Sequence, residues 1–302
     1  MKTGIPMIFF HLGDSYYLQY TFNQLLHSNP DSEIYLIGDE RNKHYETIGI
    51  RHIDASTCEE TAKRFEKIYV HLSCMGGFVE RICFQRWMYI RDFVLKQHIE
   101  GKFCCLDSDV LVYADITEYS KKYCPDADIT VHGKFGPGCN IFRNVDILSK
   151  LVDNTFKYYS TPELLKELEE IYHIQRRNIT DMEMIDRFVD ECCVQSYDLL
   201  QIVDGKTFDS HIGKITDDRF VKDKNLKRVA LKDGKAYCTL KKNGSQIQMY
   251  MLHMQGFYKV YMYKYYTGDK GRVQSRWKAI CHKNYMLIKR YFSNLKNSGG
   301  VR

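Results

Sequence analysis

No stretch of this 302-residue chain reaches the ~20 consecutive apolar residues that a membrane-spanning helix needs. The first apolar run, Ile5 to Phe10, stops at His11 and is too short for the hydrophobic segment of a signal peptide, so the expectation is a cytoplasmic protein. Cysteine is plentiful, but the spacing that would give it a framework role is missing. The 11 cysteines are odd in number, two pairs are adjacent (Cys104-Cys105 and Cys192-Cys193), and no Cys-x-x-Cys occurs. That pattern fits neither a disulfide scaffold nor a zinc-ligand spacing. Cysteines within apolar runs read instead as small core hydrophobes. Acidic residues nearly vanish from the C-terminal end. Between Lys259 and Arg302 only Asp269 opposes 11 Lys and Arg, a charge of +10, whereas the first 258 residues carry 33 basic against 37 acidic side chains. No internal repeat, low-complexity linker or nucleic-acid-binding module is visible, and an acidic body argues against a nucleic-acid partner.

What is present is a substantial core and many rings. Hydrophobic residues make up 44% of the chain and aromatic ones 14%, including 23 Tyr, which suits sugar or base stacking as well as ordinary packing. The first half alternates strand and helix patterns. Ile5 to Phe10 and Ile34 to Ile37 read as buried strands, Ile48 to Ile53 as a short third strand, and Phe78 to Gln97 as an amphipathic helix leading into a strand that ends at Asp107. Such units predict an α/β fold with a mainly parallel sheet flanked by helices, whose ligands bind at the carboxyl ends of the strands. Helices are expected at Val145 to Tyr158, Pro162 to Ile171 and Asp181 to Cys192, and strands at Ile129 to His132 and Cys139 to Phe142. Asp233-Gly234 and Asn243-Gly244 are hairpin signals in a late β-rich insertion. The expected organisation is one domain over 1–260 and a basic, amphipathic, helical tail over 261–302.

The run Leu106-Asp107-Ser108-Asp109-Val110-Leu111 places two carboxylates where an apolar strand ends. Strand alternation would point both to one side, where two like charges need a cation between them. A hard divalent ion meets that need and keeps places for substrate phosphates. Roughly one Asp-x-Asp is expected by chance in a chain of this length, so solvated turn residues are the competing reading. A second pair, Asp126-Ala127-Asp128, reads as a turn before a strand.

These residues resemble the metal-binding motif of nucleotide-sugar glycosyltransferases of the GT-A, Rossmann-like fold. His253-Met254-Gln255-Gly256-Phe257-Tyr258-Lys259 is similar to the His-x-x-Gly-x-x-Lys of the retaining family that contains glycogenin and the bacterial lipooligosaccharide galactosyltransferases. The resemblance implies that Asp107, Asp109 and His253 hold Mn²⁺ or Mg²⁺ and that Ser108, Gly256 and Lys259 meet the donor, with Lys259 on its diphosphate. Phe84-Gln85-Arg86-Trp87 resembles the family's stretch on the helix before the metal strand, which implies a contact from Arg86 to the donor sugar or phosphate. Gly138-Cys139-Asn140 is similar to the strand that lines the sugar pocket. Asp181-Met182-Glu183 stands where the family has Asp-Gln-Asp, which makes Asp181 and Glu183 the catalytic or acceptor-positioning candidates. Two departures stand out: Met182 replaces the glutamine, and Lys259 is followed by Val260-Tyr261 rather than Pro-Trp.

Each residue also has a plainer reading. His253 can be a satisfied strand-end histidine, Gly256 a turn glycine, Lys259 one more member of the basic tail and Arg86 half of a surface ion pair. Asp181 can serve the first turn of its helix. Asp39 and His11, at strand ends, suit the nucleotide or simple turn chemistry, and Asp204, Asp209 and His211 form a polar cluster of undefined role. The activity expected is transfer of a sugar from a UDP-sugar to a glycan or lipid-linked oligosaccharide in capsule or other surface-polysaccharide synthesis. The tail, with Trp277, Ile280, Leu287 and Tyr291 among its apolar positions, suggests peripheral contact with an anionic inner membrane face. The rivals are a haloacid-dehalogenase-type phosphatase, using Asp107 and Asp109 with Asp217-Asp218, and a non-catalytic glycan-binding protein of the same fold.

Overall fold

The computed structural model describes residues 2–133, 138–213 and 217–273, together with Trp277, Cys281, Asn284, Tyr285 and Ile288. Of the amphipathic tail expected over 261–302, residues 261–273 and those five positions are described, and the rest lies outside the described residues. In chain order the elements are β1 (Met7–Phe10), α1 (Leu18–Ser28), β2 (Ile34–Gly38), β3 (Arg51–Asp54), α2 (Glu60–Glu66), α3 (Gly77–Lys96), β4 (Phe103–Leu106), β5 (Val110–Val112) and α4 (Ile116–Tyr123). They continue with β6 (Ile129–Val131), β7 (Cys139–Phe142), α5 (Val145–Ser160), α6 (Pro162–His173), α7 (Asp181–Glu191), β8 (Ser196–Asp198) and β9 (Lys206–Phe208). The last are β10 (Lys222–Asp223), β11 (Leu226–Lys227), β12 (Val229–Lys232), β13 (Lys235–Thr239), β14 (Gln246–His253) and α8 (Met262–Tyr265). Backbone contacts group them into two compact units. The first comprises Met1–Gly13, Asp31–Ser108 and Asp115–Gln201; the second comprises Asp14–Pro30, Asp109–Ala114 and Ile202–Arg302.

The first unit is built on a seven-stranded sheet in the order β3-β2-β1-β4-β7-β6-β8. Strands β3, β2, β1 and β4 run parallel, β7 is antiparallel to both β4 and β6, and β8 is parallel to β6. The expected α/β class with a mainly parallel sheet is therefore what the chain adopts. Unbroken apolar runs such as Met7-Ile8-Phe9-Phe10 and Ile34-Tyr35-Leu36-Ile37 suit central parallel strands covered on both faces. Alternate residues of each strand enter one core: Tyr35 and Ile37 from β2, Phe103 and Cys105 from β4, Ile129 from β6 and Phe142 from β7. Helix α3 closes that core with Phe84, Trp87, Met88, Phe93 and Val94, which recur at helical spacing.

The third strand starts later than its sequence suggests, at Arg51 instead of Ile48. Residues Glu40–Ile48 form a 3₁₀ helix, capped by the Asp39 carboxylate on the Arg41 amide and closed by Gly49 at φ +96°. Helix α2 has no counterpart in the sequence reading, because seven residues are too few to show a period. Asp126 and Asp128 do precede a strand, and the Asp128 carboxylate accepts from the Gln195 amide at 2.8 Å.

In the second unit, β12, β13 and β14 form antiparallel hairpins, and β14 pairs with β5 and with β9. The turn at Asp233-Gly234 holds both residues at positive φ (+50° and +73°), as a type I′ hairpin requires, and Gly244 lies at φ +72°. Both hairpin signals and the late β-rich segment are thus borne out. Among the described residues, no helix is long and apolar enough to cross a membrane.

Phe103 and Phe142 are fully buried and stack across β4 and β7 with ring centroids 5.5 Å apart. Phe103→Ala should lower unfolding free energy by about 3–5 kcal/mol in a urea titration. A loss under about 1 kcal/mol would show that this ring pair does not anchor the sheet.

Candidate active site

Strand β4 stops at Leu106, the backbone turns at Ser108 and Asp109, and β5 resumes at Val110. The two aspartates are therefore presented by a turn rather than by one continuous strand. Asp107 belongs to the first unit and Asp109 to the second.

In the first unit, Asp107 keeps the strand parity of Phe103 and Cys105, the residues that face α3. The Gly138 carbonyl accepts its backbone N–H at 3.0 Å. The Arg86 guanidinium, on α3, bridges the Asp107 carboxylate and the Asp181 carboxylate at the head of α7. Trp87 stands beside it: its indole N–H donates to Asp181 at 3.0 Å, and the Arg86 guanidinium lies 4.7 Å from its ring centroid. Burial favours neutral Arg86, but the two carboxylates outweigh it and hold the guanidinium charged. For Asp181, burial and the neighbouring Asp107 charge raise the pKa while Arg86 and Trp87 oppose. Arg86 is thus a partly buried bridge between two carboxylates, and the surface-pair reading is set aside. Glu183 is not part of this group, since its carboxylate meets Arg177 and Arg187, each at 3.0 Å.

His11 and Asp39 mark the carboxyl ends of β1 and β2. His11 Nδ1 lies 3.0 Å from the Ser108 hydroxyl. The Asp39 carboxylate accepts from the Gly13 amide at 2.9 Å and from Arg41, which draws its pKa down. Asn42, which sequence reasoning passed over, is buried here and donates to the carbonyls of His11 and Gly13. Gly38 is required by it, because a Cβ at that position would lie 2.2 Å from the Asn42 side chain.

In the second unit, β14 runs antiparallel to β5 with His253 opposite Val110, and the Met254 amide donates to the Asp109 carbonyl at 2.8 Å. That register brings three side chains together. His253 Nε2 is 3.2 Å from Asp109 Oδ1, and Lys259 Nζ is 3.0 Å from Asp109 Oδ2. Burial would raise the Asp109 pKa, yet Lys259 first, and the His253 ring where it is protonated, overcome it and hold the carboxylate well below its ordinary range. Lys259 also lies 5.3 Å from the centroid of the Tyr17 ring, on α1's N-terminal side. Gly256 begins the 3₁₀ turn Gly256–Tyr261 at φ +60°, and a Cβ there would meet nothing within 4 Å, so its role is conformational.

His253 Nδ1 lies 3.0 Å from the Ser210 carbonyl oxygen, which can only accept, so Nδ1 carries the proton. Gln255 Nε2 is 3.5 Å from the same nitrogen, at the outer edge of hydrogen bonding, and the shorter contact governs. Nε2 of the neutral ring then turns its lone pair toward a carboxylate oxygen. Two electron-rich atoms 3.2 Å apart need positive charge beside them, either a second ring proton or a metal cation. The donor set fits a divalent ion that accepts both carboxylate and imidazole, Mn²⁺ better than Mg²⁺.

Of the other candidates, Asp209 is buried against Lys227, while Asp217 pairs with Arg219 at 2.8 Å and Asp218 with Lys241 at 2.5 Å on the surface. The late acidic pair of the phosphatase reading is therefore taken up by lysine and arginine.

No protein-family profile matches the chain, and no curated protein does. Among solved structures it is similar to the glycosyltransferase GlyE of Streptococcus pneumoniae, at 19% identity and TM-score 0.40 over 65% of this chain and 45% of that one. The chain thus spans less than half the length of that structure. It is also similar to mouse xyloside xylosyltransferase 1, with 11% identity and TM-score 0.45 over 65% of this chain and 84% of that one. A third is the galactosyltransferase LgtC in complex with donor and acceptor sugar analogues, at 13% identity and TM-score 0.42 over 68% and 76%. All three are glycosyltransferases.

Glu80, on α3 like Arg86, is buried and accepts from the Ser73 hydroxyl at 3.1 Å. Burial first, and the Asp181 charge second, push its pKa up to about 7. A carboxyl raised in the folded state stabilises while protonated, and this contribution is lost as pH rises through 7. Glu80→Gln should therefore be more stable than the parent at pH 8, by about 1 kcal/mol after solvent screening, and closer to it at pH 5. Parallel pH-dependence in the two proteins, followed by chemical denaturation, would contradict this.

Proposed function

We propose that this chain is a metal-dependent glycosyltransferase that moves a sugar from a nucleotide-diphosphate donor, a UDP-sugar, to a hydroxyl of a glycan or lipid-linked oligosaccharide. The observation that carries the reading is the Asp109 carboxylate set between the His253 imidazole and the Lys259 ammonium, with the ring proton committed to Ser210. Following the motif resemblance, we assign Asp109 and His253 to the ion, with Asp107, two residues before Asp109 in the chain, as the third ligand. Bound there, Mn²⁺ or Mg²⁺ would supply Lewis-acid stabilisation of the departing diphosphate.

The chain's own groups then divide the remaining work. Lys259, within the 3₁₀ turn that Gly256 begins, would meet the diphosphate oxygens and balance the charge that grows on them. Arg86 and Asp181, locked to each other and to Trp87, would offer a rigid donor–acceptor edge to the sugar hydroxyls. Asp181 is the acidic residue we assign to sugar or acceptor positioning, in preference to Glu183. His11, Ser108 and Asp39 would line the nucleotide side. Retention of anomeric configuration, a place in capsule or surface-polysaccharide assembly, and peripheral contact of residues 261–302 with an anionic membrane face belong to the same proposal. They are supported by the motif resemblance and by the basic tail.

Thermal shift against a panel of nucleotide sugars, with Mn²⁺ and again with EDTA, tests it. At a hundredfold excess over Kd, the true donor should add ~2.7 kcal/mol of stability only when metal is present. Asp109→Asn and His253→Ala should each lose that shift and at least 100-fold in donor turnover, with circular dichroism unchanged. Wild-type turnover in both variants would end the assignment.

A further inference from the structure

Behind His253, in the second unit, lies a lysine that sequence reasoning overlooked. The Lys227 side chain is fully buried, with its Nζ 2.5 Å from Asp209 Oδ1 and 3.1 Å from Asp217 Oδ2. A buried ammonium is costly and adds little net stability even when paired, so what it organises deserves a physical account. Asp209 is equally buried, and its second oxygen accepts the His253 backbone N–H at 3.1 Å. The next residue, Ser210, supplies the carbonyl that takes the Nδ1 proton, and the Ile212 amide donates to the His253 carbonyl at 2.9 Å. Lys227 closes the set through its backbone, donating its amide proton to the Ile212 carbonyl at 2.9 Å.

His253 is therefore stitched to residues 209–212 at three points, and Lys227 clamps both ends of that short segment. We propose that Lys227 is a positioning residue: by fixing the Asp209 carboxylate and the Ile212 carbonyl, it holds the Ser210 carbonyl on Nδ1 and so sets the His253 tautomer that turns a lone pair on Nε2 toward Asp109. The inference rests on the metal-site reading for its purpose but not for its geometry. Partners of this kind behind a ligating histidine fix its tautomer and orientation, and their loss costs 10–100-fold in metal affinity.

The test uses the full chain. Lys227→Met removes the ammonium arm of the clamp, keeps its backbone arm to Ile212, and leaves Asp209 uncompensated. The double variant Lys227→Met/Asp209→Asn keeps the side-chain volumes and the Asp217–Arg219 pair, and so guards against simple misfolding. Two readouts separate a positioning role from a structural one. Nitrogen-15 NMR of the imidazole, assigned by comparison with His253→Asn, reports the tautomer without any metal. Electron paramagnetic resonance of free Mn²⁺ reports affinity. The expected result is a pure Nδ1–H tautomer in the parent, a tautomer mixture in the folded variant, and Mn²⁺ binding weakened 10–100-fold. A parent ring protonated on Nε2, or a folded variant that keeps the parent tautomer, overturns the proposal. So does Mn²⁺ affinity within threefold of the parent in that variant. If the parent binds no Mn²⁺, the metal reading fails while the tautomer still decides the role of Lys227.

Discussion

The organising constraint is that a carboxylate taken out of water must be answered by fixed positive charge. Asp107 and Asp181 are answered by Arg86, Asp109 by Lys259, and Asp209 and Asp217 by Lys227. Each pairing is made inside a single compact unit, so each unit carries its own share of charge in a balanced state. The cost of burying ions makes this obligatory, since an unpaired charge in the interior costs several kcal/mol. It also explains why the polar residues here are long cations on rigid elements: Arg86 on α3, Lys227 at the end of β11, and Lys259 in the turn after β14.

Much of this was legible in the sequence. Unbroken apolar runs gave β1, β2 and β4, and the Asp-Gly and Asn-Gly signals gave the hairpins. The long periodic segments gave α3, α5 and α7 to within a few residues. Each of these rests on a local pattern repeated often enough to be counted. The 3₁₀ segment Glu40–Ile48 and the short α2 carried no such pattern, and a strand boundary was misplaced as a result. The spacing His253-x-x-Gly256-x-x-Lys259 was also readable, because one strand end and one turn place both side chains.

What sequence could not supply was pairing across distance. Nothing within the Asp107 motif says that Arg86 and Asp181 will share it, and Glu183, with identical local credentials, turns instead to Arg177 and Arg187. The difference is helical phase: on α7, positions 181 and 183 lie ~200° apart around the axis, so only one can face α3. Lys227 was invisible for a related reason. In the sequence it is one of several lysines in a polar stretch, and only the packing of Asp209, Ile212 and Asp217 around it makes it interior.

Lys259 shows why a balanced resting state bears on catalysis. The plain reading made it one more charge of a basic tail, yet its ammonium sits on a buried carboxylate and near the Tyr17 ring. Such a cation stays only while Asp109 lacks a better partner. On the glycosyltransferase reading, Lys259 leaves Asp109 for the donor diphosphate, and the anion it meets repays the separation. Ion binding and donor binding are then coupled through one side chain, because each removes the other's competitor. The coupling needs no large movement: the lysine stem turns about a fixed 3₁₀ segment whose first residue, Gly256, holds a backbone conformation that side-chain-bearing residues rarely adopt. On that reading, the charge that stabilises the resting site would also receive the leaving group.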